Sequence, residues 1–161
     1  MKQGIFEIRE NTEIAPGVMR MRLLGDTSAV TRPGQFVNIA LDGLYLRRPI
    51  SVCDKRGDEL TVIYKVVGAG TAQMRRMTPG GRLDLLTGLG NGYDISLSGD
   101  RPLLLGGGVG VPPLYWLARQ LCAENRRVTA VLGFNRAQEV FYEEEFRELG
   151  VDTIITTVDG S

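Results

Sequence analysis

The sequence predicts two domains: an antiparallel β-barrel over residues 1–99, followed by a partial, doubly wound α/β parallel sheet over residues 100–161. Up to about residue 100, short runs with alternating apolar and polar residues are separated by glycine and proline turns, as in small barrels. Beyond that point, short apolar runs alternate with segments in which apolar residues recur at helical spacing. Hydrophobic residues make up 43% and charged residues 24% of the chain, which is typical of a globular protein.

Five β-patterned segments support the barrel. The clearest is VMRMRLL (Val18 to Leu24), whose period of two indicates a strand with one wet face. The others follow in order between turns such as Pro33-Gly34: GQFVNIAL, RRPISVCD, DELTVIYKVV and TPGGRLDLLTGLG. One short helix is predicted at about Thr71 to Met77.

The second domain is predicted from a βαβαβ order. Leu103 to Leu105 form a short buried strand, and apolar residues after this strand recur at helical spacing. RVTAVLGF is the next strand, EVFYEEEFREL the next helix, ended by Gly150, and VDTIITTV the third strand. This order implies a parallel sheet with right-handed crossovers. Because a doubly wound sheet normally has about five or six strands, we expect the natural chain to be longer, unless a dimer contact covers the open edge.

Composition excludes several classes of function. Nineteen basic residues balance nineteen acidic ones, so no electrostatic footprint for nucleic acid is present. No apolar stretch approaches a membrane span and no signal peptide opens the chain, which predicts a cytoplasmic protein without a membrane partner. Cys53 and Cys122 have no metal-site spacing and are interpreted as reduced, buried thiols. Without histidine, chemistry is expected to depend on a bound cofactor.

The first candidate site is LRRPIS. An arginine matches a phosphate bidentately, and Pro49 fixes the backbone directly after Arg48. On a strand, Arg48 and Ile50 point to one face while Pro49 and Ser51 point to the other. The alternative is an exposed arginine pair beside a strand-edge proline.

The second candidate site is YKVVGAGTAQM. A strand ends at Gly68-Ala69-Gly70, and Thr71 stands where a helix would be capped, so the free N–H groups of the first turn suit an anion. The alternative is an ordinary glycine turn with Thr71 as its N-cap.

The third candidate site is LLLGGGVGVPPLY. Its glycines allow close backbone approach, and Pro112 or Pro113 can occupy the first helical position. The lysine of a triphosphate loop is missing. No carboxylate is expected at the end of the next strand, where VLGFNRAQE offers Asn135 and Arg136. A turn used only for packing is the alternative.

Taken together and in this order, the three stretches resemble the ferredoxin reductase-like flavoproteins, which have an FAD barrel and a nicotinamide-binding lobe. Arg48-Pro49-Ile50-Ser51 stands where that superfamily has Arg-x-Tyr-Ser/Thr, with isoleucine in place of tyrosine. LRRPIS, YKVVGAGT and LLLGGGVGVPPLY resemble the electron transfer subunits of class B dihydroorotate dehydrogenases, which use NAD⁺. The resemblance covers essentially the whole chain.

The resemblance implies an FAD-dependent oxidoreductase component whose site residues bind cofactors, with no catalytic acid or base and no metal ligand. Arg48 would pair with the FAD pyrophosphate, Ser51 would lie near the reactive flavin nitrogen, and the terminal DGS would border the nicotinamide. The implied FAD residues are Arg48, Pro49, Ile50, Ser51, Ile63, Tyr64, Lys65, Gly70 and Thr71. The implied NAD(H) residues are Gly106, Gly107, Gly108, Gly110 and Pro112.

The resemblance also implies partners. The family passes electrons from the FMN of a catalytic subunit through a [2Fe–2S] cluster and FAD to NAD⁺ in pyrimidine (UMP) biosynthesis, within a heterotetramer. The four cysteines that hold such a cluster are absent from this sequence. Two alternatives remain: a stand-alone NAD(P)H:flavin or ferredoxin-type reductase, and an interaction module that binds no cofactor.

Overall fold

A closed six-stranded antiparallel barrel forms the first lobe of the molecule. The computed structural model describes all residues 1–161. Around the barrel the strands follow the order β1-β2-β5-β4-β3-β6, and a short helix α1 (Ala69–Arg75) lies between β5 and β6. The barrel strands are β1 (Lys2–Ala15), β2 (Val18–Leu24), β3 (Phe36–Leu41), β4 (Leu44–Arg56), β5 (Glu59–Lys65) and β6 (Arg82–Leu89).

A three-stranded parallel sheet with two helices forms the second lobe, and the predicted fold class is confirmed. The sheet order is β7-β8-β9, with both helices packed on one face. Three single 3₁₀ turns accompany these elements, among them Gly108–Gly110 and Ala137–Glu139. The elements are β7 (Leu103–Gly107), α2 (Pro112–Ala123), β8 (Thr129–Phe134), α3 (Glu143–Glu148) and β9 (Asp152–Thr157).

Strand β1 was not predicted. It pairs with both β2 and β6 and closes the barrel, but only Phe6, Ile8 and its last residue are buried. A register shift between Ile8 and Glu10 interrupts the alternation of side chains. The sequence signal is therefore weak where the strand is most irregular.

The two shorter helices differ from their predicted bounds. Helix α1 begins two residues earlier than predicted, with Gly68 rather than Thr71 as its N-cap. Helix α3 has six residues, because Tyr142 before it adopts a left-handed conformation with φ of 66°. Gly150, with φ of 84°, follows α3, as predicted from its freedom to adopt positive φ.

One predicted burial is wrong. Leu103 and Leu105 on β7 are 58% and 67% exposed, and only Leu104 between them is buried. Leu104 packs with residues of α2, whereas the other two side chains lie on the opposite face of the sheet, together with the exposed Ile154 of β9. Cys53 is buried as predicted, but Cys122 is only half-buried.

The cores of the two lobes interlock. Trp116 of α2 belongs to the barrel core, while Val18, Cys53 and Ile63 of the barrel belong to the core of the second lobe. Burial of such side chains contributes about 1.5–3 kcal/mol each, so the lobes are held in one arrangement by apolar packing. No helix of the molecule has the length and apolar character needed to span a membrane.

Candidate functional site

A cavity of about 420 Å³ opens where strands β4 and β5 separate. The two strands are paired from Val52 to Arg56 and from Glu59 to Val62, but not beyond. The preceding stretch of β4 is paired only with β3, so one of its edges is free. Residues from both faces of the strand consequently reach the same space. The lining residues are Arg48, Pro49, Ile50, Ser51, Ile63, Tyr64, Lys65, Val67, Thr71 and Val109.

This geometry corrects the expectation that Arg48 and Ile50 would lie apart from Pro49 and Ser51. All four line the cavity, because the cavity borders the free edge of β4 rather than one of its faces. The Ser51 hydroxyl makes no hydrogen bond within the protein and is therefore free to meet a ligand.

The two consecutive arginines of β4 have different environments. Arg47 is tied to Asp84 of β6 by hydrogen bonds of 3.1 and 3.0 Å and also donates to the carbonyl of Asn38. The Arg47 guanidinium holds the pKa of the Asp84 carboxyl below its usual value. Arg48 has no acidic partner, and its guanidinium donates only to the carbonyl of Leu46. Of the two, only Arg48 has a cation available to an anionic ligand.

The start of helix α1 lies directly against Arg48. A Cβ atom built on Gly70 would stand 2.3 Å from the Arg48 Nε atom, so only glycine admits the guanidinium at this distance. The N–H groups of residues 69–71 have no partner within the helix. Together with the guanidinium they form a donor set that matches a phosphate.

Thr71 has a role other than the predicted one. It is the third residue of α1, and its hydroxyl accepts hydrogen bonds from the N–H groups of Val67 and Gly68 at 2.9 and 3.2 Å. The same hydroxyl donates to the Gly68 carbonyl at 3.2 Å, and these bonds close the turn. Thr71 thus shapes the turn that lies beside Arg48, while its hydroxyl already has hydrogen-bond partners.

The residues of β5 close the far wall of the cavity. Ile63 and Tyr64 are buried in the cores of the second lobe and the barrel, respectively. The Tyr64 hydroxyl donates to Asn11 at 3.0 Å, and burial raises the pKa of Tyr64 to about 12. Lys65 is exposed and has no acidic partner, so its ammonium is the free charge on this wall.

The glycine turn after β7 brings helix α2 close to the sheet. A Cβ atom on Gly106 would stand 2.7 Å from Leu114 of α2 and 3.1 Å from the carbonyl of Gly110. Gly108 has φ of 50°, a conformation that favours glycine. Pro112 is the first residue of α2, where its missing N–H has no cost.

A second cavity, of about 470 Å³, lies above this turn at the carboxyl ends of the parallel strands. Ligands of open α/β sheets bind at such ends. Gly107 and Gly108 line it, whereas Gly106, Gly110 and Pro112 shape the turn without lining either cavity. The full lining is Pro16, Val18, Lys65, Gly107, Gly108, Val109, Gly133, Phe134, Asn135, Glu139, Phe141 and Val158.

The two cavities adjoin. Lys65 of the barrel and Val109 of the glycine turn line both of them. Arg48 and the start of α1, in the first lobe, therefore face the same cleft as the glycine turn, in the second lobe.

Glu139 is a residue of this cleft that the sequence analysis missed. No carboxylate was expected after β8, yet a 3₁₀ turn brings Glu139 back to the second cavity, where it accepts a hydrogen bond from Asn135 at 3.0 Å. Arg136, the other polar residue considered there, is exposed and lines neither cavity. The signal was present in the acidic residue at the end of VLGFNRAQE, but its approach depends on the turn.

A partly buried ion pair links the two lobes beside their apolar contact. Arg119 of α2 donates to the Asp54 carboxylate of β4 at 2.6 and 3.1 Å and to the carbonyl of Lys55 at 2.8 Å. The Asp54 side chain is 7% exposed, and Arg56 binds its other oxygen at 2.9 Å. Cys53, the extra residue at a register shift of β4, packs into the second lobe beside this pair.

The sequence is similar to known electron transfer proteins. It is 45% identical, over 169 aligned positions, to the dihydroorotate dehydrogenase B (NAD⁺) electron transfer subunit of Fusobacterium nucleatum. It is 43% identical to the subunit of the same name from a Geobacillus species. Both alignments cover the whole of this chain and 65% of the relative, so the chain spans about two thirds of the length of these curated relatives. No protein-family model matches the chain.

Solved structures show the same fold. A chain of NADH-dependent reduced ferredoxin-NADP oxidoreductase superposes with a TM-score of 0.87 at 32% identity, covering 98% of this chain and 58% of that one. Phthalate dioxygenase reductase superposes with a TM-score of 0.78 at 20% identity, covering 99% and 53%. The molecule therefore has the ferredoxin reductase-like fold, an antiparallel barrel followed by a parallel sheet with helices.

Proposed function

Because the whole chain is similar to dihydroorotate dehydrogenase B electron transfer subunits, we propose that it is the FAD- and NAD(H)-binding part of such a subunit. Its role is to pass electrons between NAD(H) and the flavin of a partner catalytic subunit. The partner is the FMN-bearing dihydroorotate dehydrogenase subunit, in a cytoplasmic heterotetramer that serves pyrimidine biosynthesis. The observation that carries the proposal is the single cleft that both candidate cavities share through Lys65 and Val109.

The β4–β5 cavity fits a flavin nucleotide. Its volume lies within the range of roughly 300–1,000 Å³ common for ligand sites. Arg48 and the start of α1 offer cationic and N–H donors to a pyrophosphate, and the gap that Gly70 leaves open is what places the guanidinium there. Bound FAD supplies hydride exchange with NAD(H) and single-electron exchange with other carriers.

The chain's own residues have separate tasks around that cofactor. Arg48 would bind the phosphates, Ile50 and Ile63 would exclude water from the ring pocket, and Ser51 would offer a free hydroxyl to a ring nitrogen. Lys65 places a positive charge at the junction of the two cavities. No proton donor or acceptor among these side chains is required, because the reaction is one of electron and hydride transfer.

The second cavity fits a pyridine dinucleotide. Gly107 and Gly108 allow a phosphate to approach the backbone at the carboxyl end of β7. Because this cavity adjoins the first, its residues next to Lys65 and Val109 would hold the nicotinamide end of such a ligand. The [2Fe–2S] cluster that the resemblance implies has no ligand set among these residues, and no step is assigned to it.

The arginine pair provides the experiment. In the full-length protein, Arg48→Ala is expected to weaken FAD binding by about 1.5–3 kcal/mol, the range for a hydrogen bond to a charged group. Arg47→Ala is the matched control: it removes the same side chain one residue away, and its contacts are internal. It should lower the stability of the barrel while the FAD dissociation constant stays close to wild type.

Two results would contradict the proposal. One is equal FAD affinity in Arg48→Ala and wild type, measured by fluorescence titration of the apoprotein. The other is an FAD-loaded protein that NADH does not reduce anaerobically. Co-purification with a dihydroorotate-oxidising subunit then separates an electron transfer subunit from a stand-alone NAD(P)H reductase, which would function without a partner.

A further inference from the structure

Asn11 of β1 links two sides of the β4–β5 cavity. Its side-chain nitrogen donates to the carbonyls of Met74 and Met77, at 2.8 and 2.9 Å. Its side-chain oxygen accepts a hydrogen bond from the Tyr64 hydroxyl at 3.0 Å. Tyr64 belongs to β5 and lines the cavity, whereas the two carbonyls lie in the last turn of α1 and just after its end. Asn11 therefore joins β5 to α1, although it lines neither cavity itself.

The hydrogen bonds of Asn11 require an amide at this position. Both hydrogens on its nitrogen have a carbonyl acceptor, and its oxygen has a hydroxyl donor. An aspartate has nearly the same shape, but when ionised it donates no hydrogen bond and would place a negative charge against two carbonyl oxygens. The Tyr64 hydroxyl donates to the amide oxygen, so it determines which end of the amide faces α1.

The placement of α1 decides where the Arg48 guanidinium can lie. Gly70 of α1 stands so close to Arg48 that a Cβ atom built on it would lie 2.3 Å from the Nε atom. Arg48 has no acidic partner, and its guanidinium donates only to the carbonyl of Leu46. Because no ion pair holds this side chain, its direction depends on the packing of α1 against it.

Two other contacts hold α1 on the barrel. The Met74 side chain is fully buried in the barrel core, and Arg75 pairs with Glu13 of β1 at 2.8 Å. Apolar packing is non-directional, and an ion pair whose side chains are 49% and 40% exposed contributes little. The partly buried hydrogen bonds of Asn11 are therefore the directional contacts that set the rotation of α1.

We propose that Asn11 is a positioning residue of the flavin site. It holds α1 in the orientation in which Gly70 directs the Arg48 guanidinium towards the cavity. The inference rests on the proposed function and adds a residue, outside both cavities, on which the affinity for FAD depends.

Fluorescence titration of the full-length apoprotein with FAD tests this assignment. Asn11→Asp should raise the dissociation constant of FAD about 5- to 10-fold, less than Arg48→Ala does, because the guanidinium is displaced rather than removed. Tyr64→Phe, which leaves the bonds to α1 in place, should weaken FAD binding less than Asn11→Asp.

The double variant separates a positioning role from a merely structural one. If Asn11 acts through Arg48, then Asn11→Asp combined with Arg48→Ala should bind FAD no more weakly than Arg48→Ala alone, since the side chain to be positioned is already gone. A contribution of Asn11 to the barrel that does not pass through Arg48 would instead add to the effect of Arg48→Ala.

Glu13→Gln is the matched control. Glu13 lies two residues from Asn11 on the same strand, also contacts α1 through its side chain, and lines neither cavity. This variant should keep the wild-type dissociation constant of FAD. Urea midpoints of the apoproteins show whether each variant is folded. If Asn11→Asp does not fold, Asn11→Ala, which places no charge against the carbonyls, takes its place in every comparison.

The results distinguish the role of Asn11 from the proposed function. An unchanged dissociation constant of FAD in Asn11→Asp would overturn the positioning role, as would an equal loss in Glu13→Gln or a double variant in which the two losses add. A wild type that binds no FAD would contradict the proposed function itself, before any variant is compared.

Discussion

The ion pair between Arg119 and Asp54 allows the contact between the lobes to be perturbed without touching either cavity. Arg119→Ala removes three hydrogen bonds, two to the Asp54 carboxylate and one to the carbonyl of Lys55. Neither Arg119 nor Asp54 lines either cavity of the cleft. The variant therefore tests whether the orientation of the lobes matters for electron transfer independently of cofactor binding.

The expected loss in the free energy of unfolding depends on how far the two side chains are buried. Breaking a buried ion pair from one side costs about 3–5 kcal/mol, because a charge is left without its partner. Asp54 is 7% exposed and Arg119 30% exposed, but Arg56 still binds the second carboxylate oxygen. We therefore expect a loss of about 2–3 kcal/mol in the free energy of unfolding, below the full range.

The assay is urea denaturation of the full-length protein, followed by the fluorescence of Trp116. Trp116 lies on α2 within the barrel core, where it reports separation of the lobes, and it is the one tryptophan among these 161 residues. Arg22→Ala is the control, because Arg22 pairs with Glu59 on the surface of the barrel and is 44% exposed. That variant should lose less than about 1 kcal/mol.

Arg119→Ala should slow the reduction of the flavin by NADH without weakening FAD binding. Every residue lining the proposed FAD cavity except Val109 belongs to the first lobe, so the FAD dissociation constant of Arg119→Ala should stay near wild type. The rate at which NADH reduces the flavin should fall, because that step needs both cavities in register. The reasoning is refuted if Arg119→Ala and Arg22→Ala destabilise equally, or if flavin reduction keeps its wild-type rate.

Three further predictions concern the glycine turn and the buried titratable groups. Gly106→Ala should cost about 1–3 kcal/mol by overpacking against α2, whereas Gly110→Ala, whose Cβ would meet nothing within 4 Å, should change the urea midpoint little. Burial raises the pKa of the Cys53 thiol, so maleimide should label the half-buried Cys122 first, and mass spectrometry that finds labelled Cys53 in the folded protein would contradict its burial. Because burial raises the pKa of Tyr64 to about 12, its contribution to stability should be complete below pH of about 10 and decline towards pH 12, a decline that Tyr64→Phe should lessen in urea titrations across that range.

Much of the fold could be predicted because its strongest signals are local. The alternation in β2 and the glycine and proline turns indicated barrel strands, and the change to helical spacing after residue 100 indicated the parallel sheet. Pro112 begins α2 for a reason that belongs to one residue, its missing N–H. Such features are readable because each depends on neighbours in the sequence.

The errors arose where distant packing decides the structure. Leu103 and Leu105 have the composition of a buried strand, but no helix packs on their face of the sheet. Phe141 and Tyr142 lie within a helical pattern, yet their rings pack edge-on against Phe134 and Tyr115, which holds the backbone out of the helix. The short α3 that results leaves residues 137–139 free to form the turn that carries Glu139.

For the candidate site, too, local features could be predicted from the sequence and features that depend on distant packing could not. The chemistry of each binding site could be predicted from a short motif. One motif is a free arginine near a helix start, and the other is a glycine turn after a strand. The sequence does not show that the two sites adjoin, because this depends on side chains that pack in the core of the opposite lobe. Trp116 packs in the barrel core, and Cys53 and Ile63 pack in the core of the second lobe. The register shift that places Cys53 outward also sets Asp54 against Arg119. A cleft built in this way has little freedom to reorient, which suits the proposed transfer, because such a reaction requires its groups to be held in a fixed geometry.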